Sequence, residues 1–331
     1  MEDGALSTSN VTRECIERDL KKMGVQNGDH LAVALSFHSL GRMDGGAEAF
    51  IDALLQAVGP QGTIMMNTFT GYYATSFLKN PTQCLFDWKT TPANTGHVPE
   101  TFRHRPEALR SHHPMSSVAA IGKMAEFLTK DHESAPSYSP YSRLGELNGK
   151  VLYIGIKERL VAMRHEAQYL AGHYDLVPLD VATYYRDDNG QIRLFARKDV
   201  FSCVLCLHKL NSRLREKGLI IEGKIGNADS LILPAKESLN AMAEMLKRDP
   251  AVTLCNDISC VWCRELEYKL NLYKEIENPC FFQRNIFAVK ILRVINKHRL
   301  KGSKAAINTM RLLARCFNNK DKGRNIERKR R

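Results

Sequence analysis

Histidine is the side chain whose unperturbed pKa, about 6.5, suits it to take up a proton near neutral pH, and eleven are scattered along this chain of 331 residues. Two of them fall in a polar loop that runs into apolar sequence, Arg110-Ser111-His112-His113-Pro114-Met115-Ser116-Ser117-Val118-Ala119-Ala120-Ile121-Gly122. Pro114 fixes one φ angle and lacks an amide donor, and it pushes His113 before it toward an extended conformation. The run is therefore a defined corner that leads into an apolar strand. On its residues alone it reads first as an ordinary loop joining a strand, and second as a rigid edge holding chemistry. Two Cys-x-x-Cys pairs are the other chemical candidates: Cys203 with Cys206, followed by His208, and Cys260 with Cys263, preceded by Cys255. Brought together, two such pairs would offer the four thiolates of a structural zinc site. Both lie in apolar, helix-like sequence without Gly or Pro knuckles, so they read as small buried residues and no metal is expected. There is no Gly-x-Gly-x-x-Gly loop and no Walker sequence, so dinucleotide and P-loop sites lack their fingerprints.

The elements that must position these residues follow from apolar periodicity. A helix is predicted over 11–23, with Ile16, Leu20 and Met23 on one face and Gly24 as its stop. Strands are predicted over 31–35, 63–66, 118–121 and 151–154, separated by helical patterns that include 46–58 and 123–130. Apolar strands alternating with helices argue for an α/β layer around a largely parallel sheet. In the second half, strands over 179–185 and 192–195 flank an Asn189-Gly190 hairpin turn, and helices are predicted over 202–217 and 236–247.

The polar run resembles the Arg-Ser-x-His-Pro-x-x-Ser-x-Ala-Ala-x-Gly signature of the aminoglycoside 3-N-acetyltransferase family, also called the antibiotic N-acetyltransferase family. Other segments agree with that family in order: the strand from Leu31 ending in Ser36-x-x-Ser39-Leu40-Gly41, the strand after Gly59-Pro60, and Gly96-x-x-Pro99-Glu100-x-Phe102-Arg103. Ser139-Pro140-Tyr141-Ser142-Arg143-Leu144, the Gly149 to Gly155 strand and the glycine-rich Gly223 to Ala228 segment follow. The resemblance covers about residues 10–255. It implies a mixed, largely parallel central sheet flanked by helices, and acetyl-CoA as co-substrate in the N-acetylation of an aminoglycoside or related amino sugar.

Acyl transfer from a thioester to an amine needs a base, donors for the developing oxyanion and a grip on the carrier. The resemblance assigns the base to His165, at the start of a helix one loop beyond Gly155. The family's His-x-Ala-Glu pattern has Gln168 as its last residue here, and glutamine accepts a hydrogen bond but carries no charge to raise imidazole basicity. Glu100 is the orienting carboxylate expected from elsewhere in the fold. His113 is placed at the site either as a loop-holding residue or in direct catalysis, and His112 is expected to face solvent. Ser36, Ser39, Leu40 and Gly41 are expected on one wall of the carrier site, Arg110, Ser111 and Ser117 on another, and Ser139, Tyr141 and Arg143 over the nucleotide end. Glu100, Asp175, Asp180, Asp187 and Asp188 are candidates for an acidic acceptor pocket. Ala34 stands where the family has a histidine, which leaves the acceptor open.

Charge is distributed unevenly. The chain carries a formal +12, yet residues 284–331 hold sixteen Lys or Arg against two acids, leaving 1–283 at −2. We therefore expect a near-neutral acetyltransferase domain over 1–283 and a basic C-terminal extension over 284–331. Apolar residues interleaved with that charge suggest two amphipathic helices, suited equally to an anionic membrane surface and to a solvated tail or oligomer contact. Specific nucleic-acid binding is not expected, since stacking aromatics are scarce. Nine scattered cysteines, no run of eighteen apolar residues and no leader pattern point to the cytoplasm, at the inner face of the membrane if the tail binds it. The competing reading is a catalytically weak CoA-binding or scaffold protein recruited by its tail.

Overall fold

The computed structural model describes residues 10–70, 85–156, 161–173, 178–200 and 207–255, with Cys260, Cys263, Leu266, Glu267 and Leu270 beyond them, all in the unit Met1–Leu270. The side chains at 161, 178–181, 198–200, 207 and 208 lie outside that description. The first half runs α1 Arg13–Lys22, β1 His30–Leu35, α2 Gly46–Val58, β2 Thr63–Asn67, β3 Leu85–Phe86, α3 His97–Arg103, β4 Leu109–Arg110, β5 Val118–Gly122 and α4 Ala125–Thr129. The second runs α5 Pro140–Glu146, β6 Lys150–Ile154, α6 Val161–Leu170, β7 Pro178–Arg186, β8 Ile192–Val200, α7 Leu207–Glu216, β9 Ile221–Ile225, β10 Ala228–Pro234 and α8 Ala235–Arg248.

Seven strands form one sheet in the order β4-β5-β2-β1-β6-β10-β9, and β3-β7-β8 form a second. The main sheet is mixed, as expected, but its parallel part is confined to the centre. β1 pairs in parallel with β2 and β6, while β2–β5, β4–β5, β6–β10 and β9–β10 are antiparallel. The reason lies in the connections: β9 and β10 form a hairpin across Gly226-Asn227, which periodicity did not separate from a glycine-rich loop.

Strand alternation divides the sheet into two buried faces. Leu31, Val33, Ile64, Met66, Leu152 and Ile154 pack with α1, α2 and α3. Ala32, Met65, Val118, Ala120, Val151 and Tyr153 pack with α4 to α8 on the other side. Helix starts have local causes. Thr12 Oγ1 accepts the Cys15 N–H at 3.3 Å to cap α1. Pro140 opens α5, where the sequence reading expected a loop, because its fixed φ and missing N–H suit a first helical turn. The Asp187-to-Gly190 hairpin stands as expected, with Gly190 at φ 76°. Residues 202–206 of the predicted helix over 202–217 lie outside the described residues; α7 begins at Leu207.

These pairings bring the C-terminal ends of β1, β2 and β6 together with the starts of β5 and β10. The segments 36–41, 67–70, 111–117 and 155–156 therefore share one edge of the sheet, where open α/β folds hold ligands.

Candidate active site

The polar run is fastened to that edge by its own conspicuous side chains. Arg110 is buried, and its guanidinium donates to the Thr68, Trp88 and Thr91 carbonyls at 3.0, 3.1 and 2.5 Å and to Ser117 Oγ at 3.2 Å. Burial lowers its pKa to about 10. Ser117 Oγ donates to Thr68 O at 2.7 Å, and Thr70 Oγ1 donates to Pro114 O at 2.6 Å. Ser111 Oγ accepts the Val118 N–H at 2.9 Å and donates to His132 Nδ1 at 2.8 Å. Arg110, Ser111 and Ser117, expected on the carrier wall, thus spend their donors inside the fold. Gly122 closes the signature for a steric reason. It sits at φ 122°, and a Cβ there would lie 2.3 Å from the Gly62 carbonyl oxygen of the strand beside it.

His113 is fully buried, and its Nδ1 accepts the N–H groups of Met115 and Ser116 at 3.2 and 2.9 Å. Its Nε2 faces Ser137 Oγ at 3.1 Å. The Arg197 guanidinium reaches the same nitrogen from β8, at 2.9 Å. Burial, with His132 and Arg197 nearby, holds the His113 pKa well below its ordinary value. His132, which nothing in the local sequence singled out, is likewise buried and pushed down to about 3. Its Nε2–H donates to Ser137 O at 3.0 Å, so Ser137 joins both rings. His112 stacks on Trp88 at 4.9 Å and lies 3.4 Å from Asp188, partly covered rather than turned to solvent.

His165 lies on the other side of the same short segment. The Tyr138 ring stacks on it at 5.0 Å and packs edge-on against Phe69 at 6.0 Å. It is the fifth residue of α6 rather than a helix-start residue, and it is 1% exposed. Nδ1 lies 3.0 Å from Gln168 Oε1. An amide oxygen only accepts, so Nδ1 bears the proton and Nε2 presents a lone pair, with Arg164 Nη2 3.4 Å away. Burial first, then the Arg164 charge, lower its pKa to about 3, against a small opposing contribution from the Gln168 hydrogen bond. Glu166 on the same helix is buried and bonded by Ser142 Oγ.

Glu100 does not serve as an orienting partner for His165 among the described residues. Its carboxylate is held by Arg103 at 2.6 and 2.7 Å and by the Ala93 N–H at 2.7 Å, which keeps it ionised. Asp187 pairs with Arg193 at the hairpin tip, Asp188 is exposed there, and the Asp175 and Asp180 side chains lie outside the described residues.

The remaining predicted residues divide. Ser39 Oγ donates to Gly155 O at 3.2 Å, and Leu40 is buried. Ser36 precedes the 3-10 turn Phe37–Leu40, with its N–H on Ile154 O. Gly41 has φ 93°, and the close neighbour that its missing Cβ admits is the Asn227 side chain. The Tyr141 hydroxyl pairs with the Asn67 amide at 3.0 Å, and burial pushes its pKa up to about 12. Arg143 donates to the Phe127 carbonyl at 3.1 Å. Ser139 Oγ and Tyr153 OH are buried and have no hydrogen-bond partner among the described residues. Tyr138 and Arg164 escaped the sequence reading, although both adjoin residues that it named.

A family model described as aminoglycoside 3-N-acetyltransferase matches residues 33–247. Aminoglycoside N(3)-acetyltransferase VII of Streptomyces paromomycinus is 33% identical over 183 residues, which cover 49% of this chain but only 61% of that relative. Aminoglycoside N(3)-acetyltransferase IV of a Salmonella species is 30% identical over 243 residues, 71% of this chain and 87% of its own. A mutant of aminoglycoside acetyltransferase AAC(3)-IVa solved in complex with a gentamicin superposes with a TM-score of 0.70 at 26% identity, covering 80% of this chain and 99% of that one. No helix among the described residues is long and apolar enough to cross a membrane. Shared sequence over most of the sheet and its helices, with the same fold, places the chain in the aminoglycoside 3-N-acetyltransferase family.

Proposed function

We propose that the protein is an acetyl-CoA-dependent N-acetyltransferase that acylates an amine of an aminoglycoside or related amino sugar by direct transfer, with His165 as general base. The observation that carries this is the state of His165 in a fold of this family. The ring is buried and neutral, and its Nδ1–H is pinned on Gln168, which sets Nε2, beside Arg164, as the basic nitrogen. The amine nitrogen would form its bond to the thioester carbon as its proton passes to His165 Nε2. The carbon–sulfur bond breaks, and the departing thiolate recovers a proton. The gentamicin bound to the AAC(3)-IVa relative supports an amine-bearing, polycationic acceptor.

His113 serves in this reading as a positioning residue, because both ring nitrogens hold the loop together. The carrier would run along 36–41 and the start of α5. There Ser139 Oγ retains hydrogen-bonding capacity, whereas the Arg110 guanidinium is largely committed to carbonyls and hydroxyls of the fold. We assign residues 1–283 to this catalytic domain and 284–331, outside the described residues, to a basic extension suited equally to an anionic membrane surface and to a solvated tail or oligomer contact.

One observation favours a second reading, a weakly active CoA-binding protein. The partner of His165 Nδ1 is the neutral Gln168, and Glu100 is taken by Arg103. Thiol release from acetyl-CoA, measured with a panel of aminoglycosides and amino sugars, separates the two. The enzyme reading expects acceptor-stimulated release that His165→Ala abolishes in a folded protein. Absence of stimulation by every amine, or full turnover in His165→Ala, overturns it.

A further inference from the structure

The cysteines read from sequence as packing residues are arranged in a way that packing does not require. Cys255, Cys260 and Cys263 place their three sulfurs within 4.8 Å of one another. Cys255 and Cys263 are buried and Cys260 is half-buried, in a small cluster with Leu254 apart from the two main cores. The Cys255 N–H donates to Cys263 Sγ at 3.2 Å, which holds that sulfur toward the cluster. One residue away, the Lys209 ammonium of α7 donates to Leu254 O at 2.7 Å, which sets a positive charge beside the cluster. Burying apolar sulfurs explains their loss of solvent contact. It does not explain three of them facing one point from positions five and three residues apart.

We propose that Cys255, Cys260 and Cys263 form a structural zinc site that fixes the segment following α8. Tetrahedral zinc with Zn–S bonds of about 2.3 Å puts its sulfurs roughly 3.8 Å apart, so the observed separations close with shifts of about an ångström. Soft thiolates select zinc over the hard divalent cations. Three thiolates and one Zn²⁺ leave a net −1, which the neighbouring Lys209 offsets. A fourth donor, from the chain or from solvent, completes the coordination. The site lies outside the acetyl-transfer machinery, so its loss should unfasten this end of the domain without changing the chemistry of His165.

The test uses the full-length chain purified under reducing conditions and supplied with zinc during refolding. Metal analysis should find about one zinc per chain, and Co²⁺ added to the metal-free protein should give thiolate-to-cobalt charge-transfer absorption. Cys255→Ser, Cys260→Ser and Cys263→Ser should each lose stoichiometric zinc, and chelation should lower the melting temperature of the unaltered chain. Because a serine variant can also fail by misfolding, the cobalt spectrum of the unaltered protein is decisive. Its absence, trace zinc after refolding, or zinc retained by the triple serine variant each overturns the assignment.

Discussion

Replacing Gln168 with glutamate tests the mechanism where this chain departs from its family. In the present site a base held at about 3 faces an ammonium whose pKa, near that of an α-amino group, is roughly 8. A mismatch of about five units makes full proton transfer uphill by about 7 kcal/mol. Gln168→Glu would set a carboxylate 3.0 Å from Nδ1, in a site excluded from water. Four residues along the same helix face, it would also counter the Arg164 charge that lowers His165. A carboxylate at that range raises an imidazole pKa by about 1–3 units, or about 1.4–4 kcal/mol. If about half of this appears in the transition state, kcat/KM rises by roughly 3- to 30-fold. The acidic limb of the pH–rate profile, set by protonation of the base, should move up from about pH 3 into the range of roughly 4 to 6. The assay is thiol release from acetyl-CoA with a saturating amine, alongside thermal melting to confirm that the variant folds. A folded Gln168→Glu protein with unchanged kcat/KM and an unmoved acidic limb refutes His165 as the base.

Other outcomes follow from burial. His132 and His165 are neutral in the fold with pKa values of about 3 against a usual 6.5. Below pH 6.5 the unfolded chain therefore takes up protons that the folded one refuses. Stability is full above that pH and falls toward pH 3, by about 2 kcal/mol per ring at about pH 5; a denaturation midpoint constant between pH 7 and 5 contradicts this. Gly122→Ala, at φ 122° and with its Cβ against the backbone of Gly62 and Thr63, should cost about 3 kcal/mol or more, read from urea unfolding. Arg110→Lys should lose about 2–4 kcal/mol, since carbonyls of Thr68, Trp88 and Thr91 lose donors. The KM for acetyl-CoA should stay unchanged in the folded fraction, whereas a large rise in KM without destabilisation would restore Arg110 to the carrier site.

Most of the central sheet and its longer helices were legible in the amino-acid sequence, whereas α5 and the β9–β10 hairpin were not. Apolar periodicity placed α2, β1, β2, β5, β6 and α8 to within a residue or so, because a strand buried on both faces and an amphipathic helix each write their environment into adjacent positions. The order of short motifs along the chain identified the family in the same way, and it singled out the loop of residues 110–122 and His165. What those side chains do was decided by tertiary structure, since their partners are remote in sequence. Arg110 meets Thr68 across 42 positions and His113 meets Arg197 across 84, and only the packed fold shows that these signature residues brace the corner. Burial beside Arg164 sets the basicity of His165, and convergence of Cys255 with the Cys260 and Cys263 pair turns apparent packing residues into the proposed metal ligands. Spacing along a chain records which face a residue occupies, whereas the charge, solvent exclusion and donors that it meets there exist only once distant segments have packed.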